Sequence, residues 1–330
     1  MNIRNLLWDA AKVGSKKAMP ILSFPAAQKM GVSVETLVKS SELQSQAMQI
    51  VARDTATIAA VSLMDLSVEA EAFGAQVRFT KDEVPAITGQ LVSDEDEAND
   101  LAVPELSAGR AMLCVEAVRA AKQVITDKPV IAGMIGPYSL AGRLMDVTEI
   151  MYLCFDEPET VHTVLDKATQ YLIRYAQAMK DAGADGIMMA EPLAGILSPD
   201  MAVEFSMPYV KRIIDALQDE EFAVLYHNCG NSVPQMLEGI YALGAAAYHF
   251  GNAIDMEAMM KVTPADILVM GNIDPAGQFA SGTVESITAA TRDLLDKCGS
   301  YPNFVPSSGC DIPAHAKWEN IDAFFKAVEG

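Results

Sequence analysis

Positive charge, cysteine, histidine and long apolar runs are all scarce in this chain. It carries 24 Lys and Arg against 44 Asp and Glu, a formal charge of −20 over 330 residues. That balance argues against nucleic acid and anionic membrane surfaces as partners, because both reward basic protein surfaces. No apolar run approaches the eighteen or so residues of a membrane span. The opening stretch, Met1 to Lys12, is a short amphipathic helix pattern broken by charge, which excludes a signal peptide. Five cysteines form an odd set with no framework spacing. They point away from disulfides and towards the reducing cytoplasm, so a soluble cytoplasmic protein is expected. There is no Gly-rich phosphate loop, repeat, linker or low-complexity tract.

What is present is a large apolar fraction, 51% of residues, enough for a sizeable core. Strand-like apolar runs recur at Ala18–Phe24, Ala59–Asp65, Pro129–Gly136, Gly186–Glu191, Ala223–His227, Ala246–Gly251, Ile267–Ile273 and Phe304–Ser308. Amphipathic helix patterns separate them, at Ala108–Ile125, Glu159–Ala182, Pro199–Leu217, Val233–Leu243, Val284–Cys298 and His315–Val328. This alternation predicts an α/β fold: a single (β/α)8 TIM barrel over residues 1–330, with an N-terminal helical extension. The segment Phe73–Glu97 breaks the rhythm and reads as an inserted hairpin or loop. The acidic run Ser93–Asp100 reads as exposed.

The most informative residues are His227 and Cys229, at the end of the apolar run that starts at Phe222. Residues i and i+2 of a strand share a face, so an imidazole and a thiol would project side by side. Cys310 follows another strand-like run. Two soft donors from one strand end and one from another leave a tetrahedral zinc one position short, the arrangement of a catalytic site. The alternative is that a buried Cys is a small hydrophobe, and Cys114, Cys154 and Cys298 are read in that way. A barrel gathers its active site at the C-terminal ends of its strands, which favours the metal reading. Asp65, Glu191, His249, Asn252, Asn272 and Asp274 fall at or near the same ends.

Three stretches, Met64 to Ala75, Ile135 to Ala141 and Gly183 to Pro192, resemble the uroporphyrinogen decarboxylase superfamily over nearly the whole chain. Within it, His227-Asn-Cys229 followed by Cys310 resembles the zinc signature of the corrinoid-dependent methyltransferases, the methylcobalamin:coenzyme M branch. The resemblance implies Zn2+ on His227, Cys229 and Cys310, and methyl transfer between a corrinoid and a thiol such as coenzyme M. It implies further that the corrinoid comes as free methylcobamide or on a corrinoid protein, since no Asp-x-His-x-x-Gly segment occurs here. The reverse direction, demethylation of a small methylated or methoxylated substrate, stays open. Glu191 is the candidate carboxylate for the fourth zinc position, and Asp65 the candidate for orienting substrate or a zinc ligand. Arg143, His249 and Asn252 are candidate substrate contacts, Arg143 for an anionic group. Decarboxylase-type lyase chemistry is the other alternative. The decarboxylases carry an arginine-rich segment near their N-terminus, where this chain reads Ile-Leu-Ser-Phe-Pro after Pro20. Arg143 stands where they have a Tyr.

Overall fold

The computed structural model describes residues 2–330. Nine strands occur among them: β1 (Ala60–Val61), β2 (Gln76–Arg78), β3 (Ala86–Thr88), β4 (Val130–Ile135), β5 (Gly186–Ala190), β6 (Ala223–Asn228), β7 (Ala247–Phe250), β8 (Val269–Ile273) and β9 (Phe304–Ser308). Seven of them form one parallel sheet in the order β1-β4-β5-β6-β7-β8-β9. Their near-continuous apolar runs, such as Val130 to Ile135 in β4, suit strands covered on both faces. Connecting helices cover the outer face. In the longest, Pro158–Asp181, buried Val161, Val164, Leu165, Ala168, Leu172, Tyr175 and Met179 recur every three or four residues.

The eighth expected strand is where the structure departs from the eight-stranded expectation. The segment Ala18–Phe24 forms no regular ladder, and Phe24 already lies in a turn. It touches both open edges of the sheet: Ile58 N–H donates to Ala18 C=O at 3.1 Å, and Met19 N–H to Pro306 C=O at 3.2 Å. The interruption has a local cause, since neither Pro20 nor Pro306 has an N–H to give. Side chains stand in instead: Ser308 Oγ accepts from Ile21 N–H, and Ser307 Oγ donates to Met19 C=O.

The inner face of the sheet packs a second core containing Met19, Ile21, Val61, Ile131, Met188, Leu225, Met270 and Val305. The expected N-terminal helix, Ile3–Ala10, joins this core through Ile3 and Leu7, both fully buried. Burial of that kind contributes about 2 kcal/mol per side chain. The helix lies at the N-terminal ends of the strands, where Lys16 Nζ donates to the carbonyls of Tyr301 and Phe304. The opposite end is left for the loops that follow each strand.

The expected inserted hairpin is present as the antiparallel pair β2 and β3. The acidic run forms the exposed helix Glu95–Asp100, capped by Asp94. Two expected helices are broken. Pro199–Leu217 divides at Ser206, because Pro208 has no N–H to give the carbonyl one turn back and instead opens the second helix. Val233–Leu243 becomes a short 3-10 turn at Val233–Gln235 and a helix at Leu237–Ala242, Pro234 lying in the turn. The last helix begins at Trp318 rather than His315.

Candidate metal centre

The parallel register sets His227 of β6 beside His249 of β7. His227 is 2% exposed, and Cys229 lies one residue beyond the end of its strand. The turn there is built by Asn228. Its Oδ1 accepts the Gly230 N–H at 2.9 Å, and its Nδ2 donates to Tyr226 Oη at 3.1 Å. Asn228 thereby pins both sides of Cys229. The loop after β7 crosses against this turn, and only glycine fits at residue 251: a Cβ there would lie 2.5 Å from Cys229 Cα. After β9, Gly309 donates its N–H to Ile273 C=O at 2.6 Å, and Cys310 follows.

These loops bring one ligand atom each from His227, Cys229 and Cys310 to within 4.8 Å of one another. Cys310 Sγ stands 3.5 Å from His227 Nε2. A tetrahedral zinc with Zn–N of about 2.0 Å and Zn–S of about 2.3 Å separates its nitrogen and sulfur ligands by about 3.5 Å. The donor set and its spacing therefore fit zinc. The two thiols also act on each other. Cys229 is held well below its usual pKa, first by the hydrogen bond from Cys310 and then by His227. Cys310 is pushed up, because losing its proton would set a second thiolate beside the first. A divalent cation among the donors reverses that penalty.

His249 lies behind His227. Its Nδ1 is 2.8 Å from His227 Nδ1, and its Nε2 is 2.8 Å from Ser307 Oγ. Burial drives its pKa well down, which keeps the ring neutral. His249, expected as a substrate contact, thus stands buried behind His227. Asn252 is exposed and lines a groove of about 330 Å³ with Asp255, Asn272 and Asp274.

Glu191 stands outside the three-donor group. Its backbone N–H donates to His227 C=O at 2.8 Å, but its carboxylate turns to a helix start. There Oε2 accepts from Tyr138 N–H at 3.2 Å and Oε1 from Ser139 N–H at 2.6 Å. It caps the helix Pro137–Met145, with burial pushing its pKa up to about 7. Asp65 is likewise engaged. Its Oδ2 takes a charge-assisted bond from Arg110 Nη1 at 2.5 Å, and its Oδ1 accepts from the Ser67 hydroxyl at 2.6 Å. Arg110 reaches Glu71 as well, at 2.6 Å. Arg143 is desolvated near the charges of Glu69 and Asp65, and burial lowers its pKa. Ser307, Arg110 and Glu69 had no signal in the sequence, since each acts through a partner distant along the chain.

The model of the uroporphyrinogen decarboxylase (URO-D) family matches residues 13–330, and the chain belongs to that family. Its relatives include a methylcobamide:CoM methyltransferase, MtbA, of Methanosarcina acetivorans. That protein is 27% identical over 243 residues, 70% of this chain and 69% of the relative. A uroporphyrinogen decarboxylase of Pseudoalteromonas atlantica is also 27% identical, over 309 residues, 89% of this chain and 84% of that one. Among solved structures, a methyltransferase from Methanosarcina mazei superposes with a TM-score of 0.86 at 25% identity. The match covers 99% of this chain and 97% of that one.

Proposed function

We propose that this protein is a zinc-dependent methyltransferase that moves a methyl group between a corrinoid and a thiol such as coenzyme M. The observation that carries the reading is the convergence of His227, Cys229 and Cys310 from two strand ends. The methylcobamide:CoM methyltransferase and the Methanosarcina mazei methyltransferase support it as relatives of this chain.

In this reading His227 Nε2, Cys229 Sγ and Cys310 Sγ would hold the ion and leave one position for the sulfur of the substrate. Zinc supplies the Lewis acidity that removes a thiol's proton near neutral pH and keeps the sulfur in place. Two thiolates and a neutral imidazole cancel the charge of the ion. A substrate thiolate added to that set would keep its negative charge and its nucleophilicity. The methyl group would pass from the methyl-Co(III) of a corrinoid, delivered free or on a corrinoid protein, to the thiolate sulfur, the S–C bond forming as the Co–C bond breaks and leaves its electron pair on cobalt as Co(I). Glu191, joined to His227 through the backbone, is the carboxylate that would reach the fourth position on leaving the Tyr138 and Ser139 amides. Arg143 and Asn252 would meet the substrate at the rim, and a reducing cytoplasm would keep the thiols free. The residues named here leave the opposite direction open, from a small methylated or methoxylated donor onto the corrinoid.

The decarboxylase reading is weaker. Asp65 is tied to Arg110 and Ser67, and the segment after Pro20 offers no arginine to a tetrapyrrole carboxylate. The test is zinc per chain in protein purified without added metal, beside Cys310→Ser. About one zinc in the parent and far less in the variant are expected. Methyl transfer from methylcobalamin to a panel of thiols should be lost in parallel. A parent that holds no zinc and takes up none on reconstitution refutes the mechanism.

A further inference from the structure

Behind the three donors runs a line of hydrogen bonds whose direction is set at its far end. Ser307 Oγ lies 2.7 Å from Met19 C=O and 2.8 Å from His249 Nε2. A carbonyl only accepts, and a serine hydroxyl has one proton. Ser307 therefore donates to Met19 and must accept from His249, so His249 carries its proton on Nε2. A neutral imidazole protonated there presents a lone pair at Nδ1, and that atom faces His227 Nδ1 at 2.8 Å. His227 donates across this contact, with the carbonyl of His249 as a second acceptor at 3.3 Å. Its proton then sits on Nδ1, and the lone pair of Nε2 points to Cys310.

We infer that Ser307 and His249 are positioning residues that fix the tautomer of His227, setting its Nε2 lone pair towards the metal position. The inference rests on the metal-centre reading above. The reverse direction has a definite consequence. Were the Ser307 proton aimed at His249, each proton in the line would move over, and His227 would present an N–H to the ion. Histidine in water favours the Nε2–H form, the one that cannot bind through Nε2. The line of bonds holds His227 against that preference. It also gives a role to two polar side chains that are fully buried, Ser307 and His249. A supporting partner on the remote nitrogen of a metal-bound histidine commonly changes affinity by about 10–100-fold when removed.

Two experiments test this. Nitrogen-15 NMR of the metal-free protein, with His227 and His249 assigned by substitution, reports each tautomer directly. His227 protonated at Nδ1 and His249 at Nε2 are expected, and the opposite pair overturns the inference. The second is Co2+ affinity, measured by chelator competition with the visible spectrum of the bound ion as readout. Ser307→Ala should weaken binding by about 10-fold or more, and Ser307→Thr, which keeps the hydroxyl, should bind more tightly than Ser307→Ala. A Ser307→Ala protein that melts cooperatively and binds Co2+ as tightly as the parent also overturns it. If the parent itself binds neither Co2+ nor Zn2+, the metal-centre reading fails, and the NMR result alone decides the direction of the bonds.

Discussion

Replacing Glu69 with Gln is expected to stabilise the protein above neutral pH relative to its effect in acid. Glu69 is 2% exposed, its Oε1 accepts the Ile135 N–H at 3.0 Å, and its Oε2 has no hydrogen-bond partner among the described residues. Burial strips water from the carboxylate and pushes its pKa from 4.5 up to about 7, a shift the Ile135 amide and Arg143 oppose without cancelling. In the unfolded chain the group ionises near its ordinary value. Between about 4.5 and 7 the folded protein therefore keeps a proton that the unfolded chain has released. Stability falls as pH rises through that window and is level on either side of it. The difference, about 7 minus 4.5, or about 2.5 pH units, corresponds to about 3 kcal/mol at about 1.4 kcal/mol per unit. Gln keeps an acceptor for Ile135 and does not ionise. Urea unfolding of parent and variant at pH 4.5 and pH 8 is the assay. Any packing cost of the amide is common to both pH values, so the change in the parent-minus-variant difference isolates the ionisation. A shift of about 2–3 kcal/mol in favour of the variant is expected at pH 8. Equal differences at the two pH values would refute the reasoning.

Two further outcomes follow from the geometry. Asp65→Asn leaves the buried Arg110 guanidinium without its shortest partner while Glu71 remains, and should cost about 3 kcal/mol in urea unfolding. Zinc uptake should be unchanged, and a lost metal site would place Asp65 nearer the chemistry than its bonds do. Gly251→Ala sets a methyl group 2.6 Å from Cys229 Cβ and should displace that ligand. Because the clash is with backbone, urea stability should fall by about 1–3 kcal/mol and Co2+ affinity with it by about tenfold or more; a variant that keeps both would refute the close approach.

Several strand ends were legible because the apolar run stops at a polar or titratable residue, as at Asp65, Glu191 and His227. The pair His227 and Cys229 was legible from the two-residue period of a strand. Cys310 became interpretable once a barrel was assumed, as it stands 83 residues from His227. What escaped notice acts through partners that no local pattern announces. Asp65 reads as a free strand-end acid until Arg110 is found 45 residues away. Glu191 reads as a free strand-end carboxylate until the helix amides of Tyr138 and Ser139 are seen to hold it. Ser307 looks like a small residue in a buried strand, and its acceptor is a backbone atom. The first expected strand failed for a reason visible in hindsight, since Pro20 and Pro306 bring no N–H where ladder donors were needed.

The bond from Ser307 to Met19 joins residues 288 positions apart, and Cys310 comes later still in the chain. A ribosome therefore releases the His227 strand long before it makes the third donor or the serine behind it. During that interval β6 has only its apolar run, Ala223 to Tyr226, to guide it into the sheet. The three-donor group is a finishing event in the birth of the molecule, and a chain that stops short of Cys310 cannot assemble it.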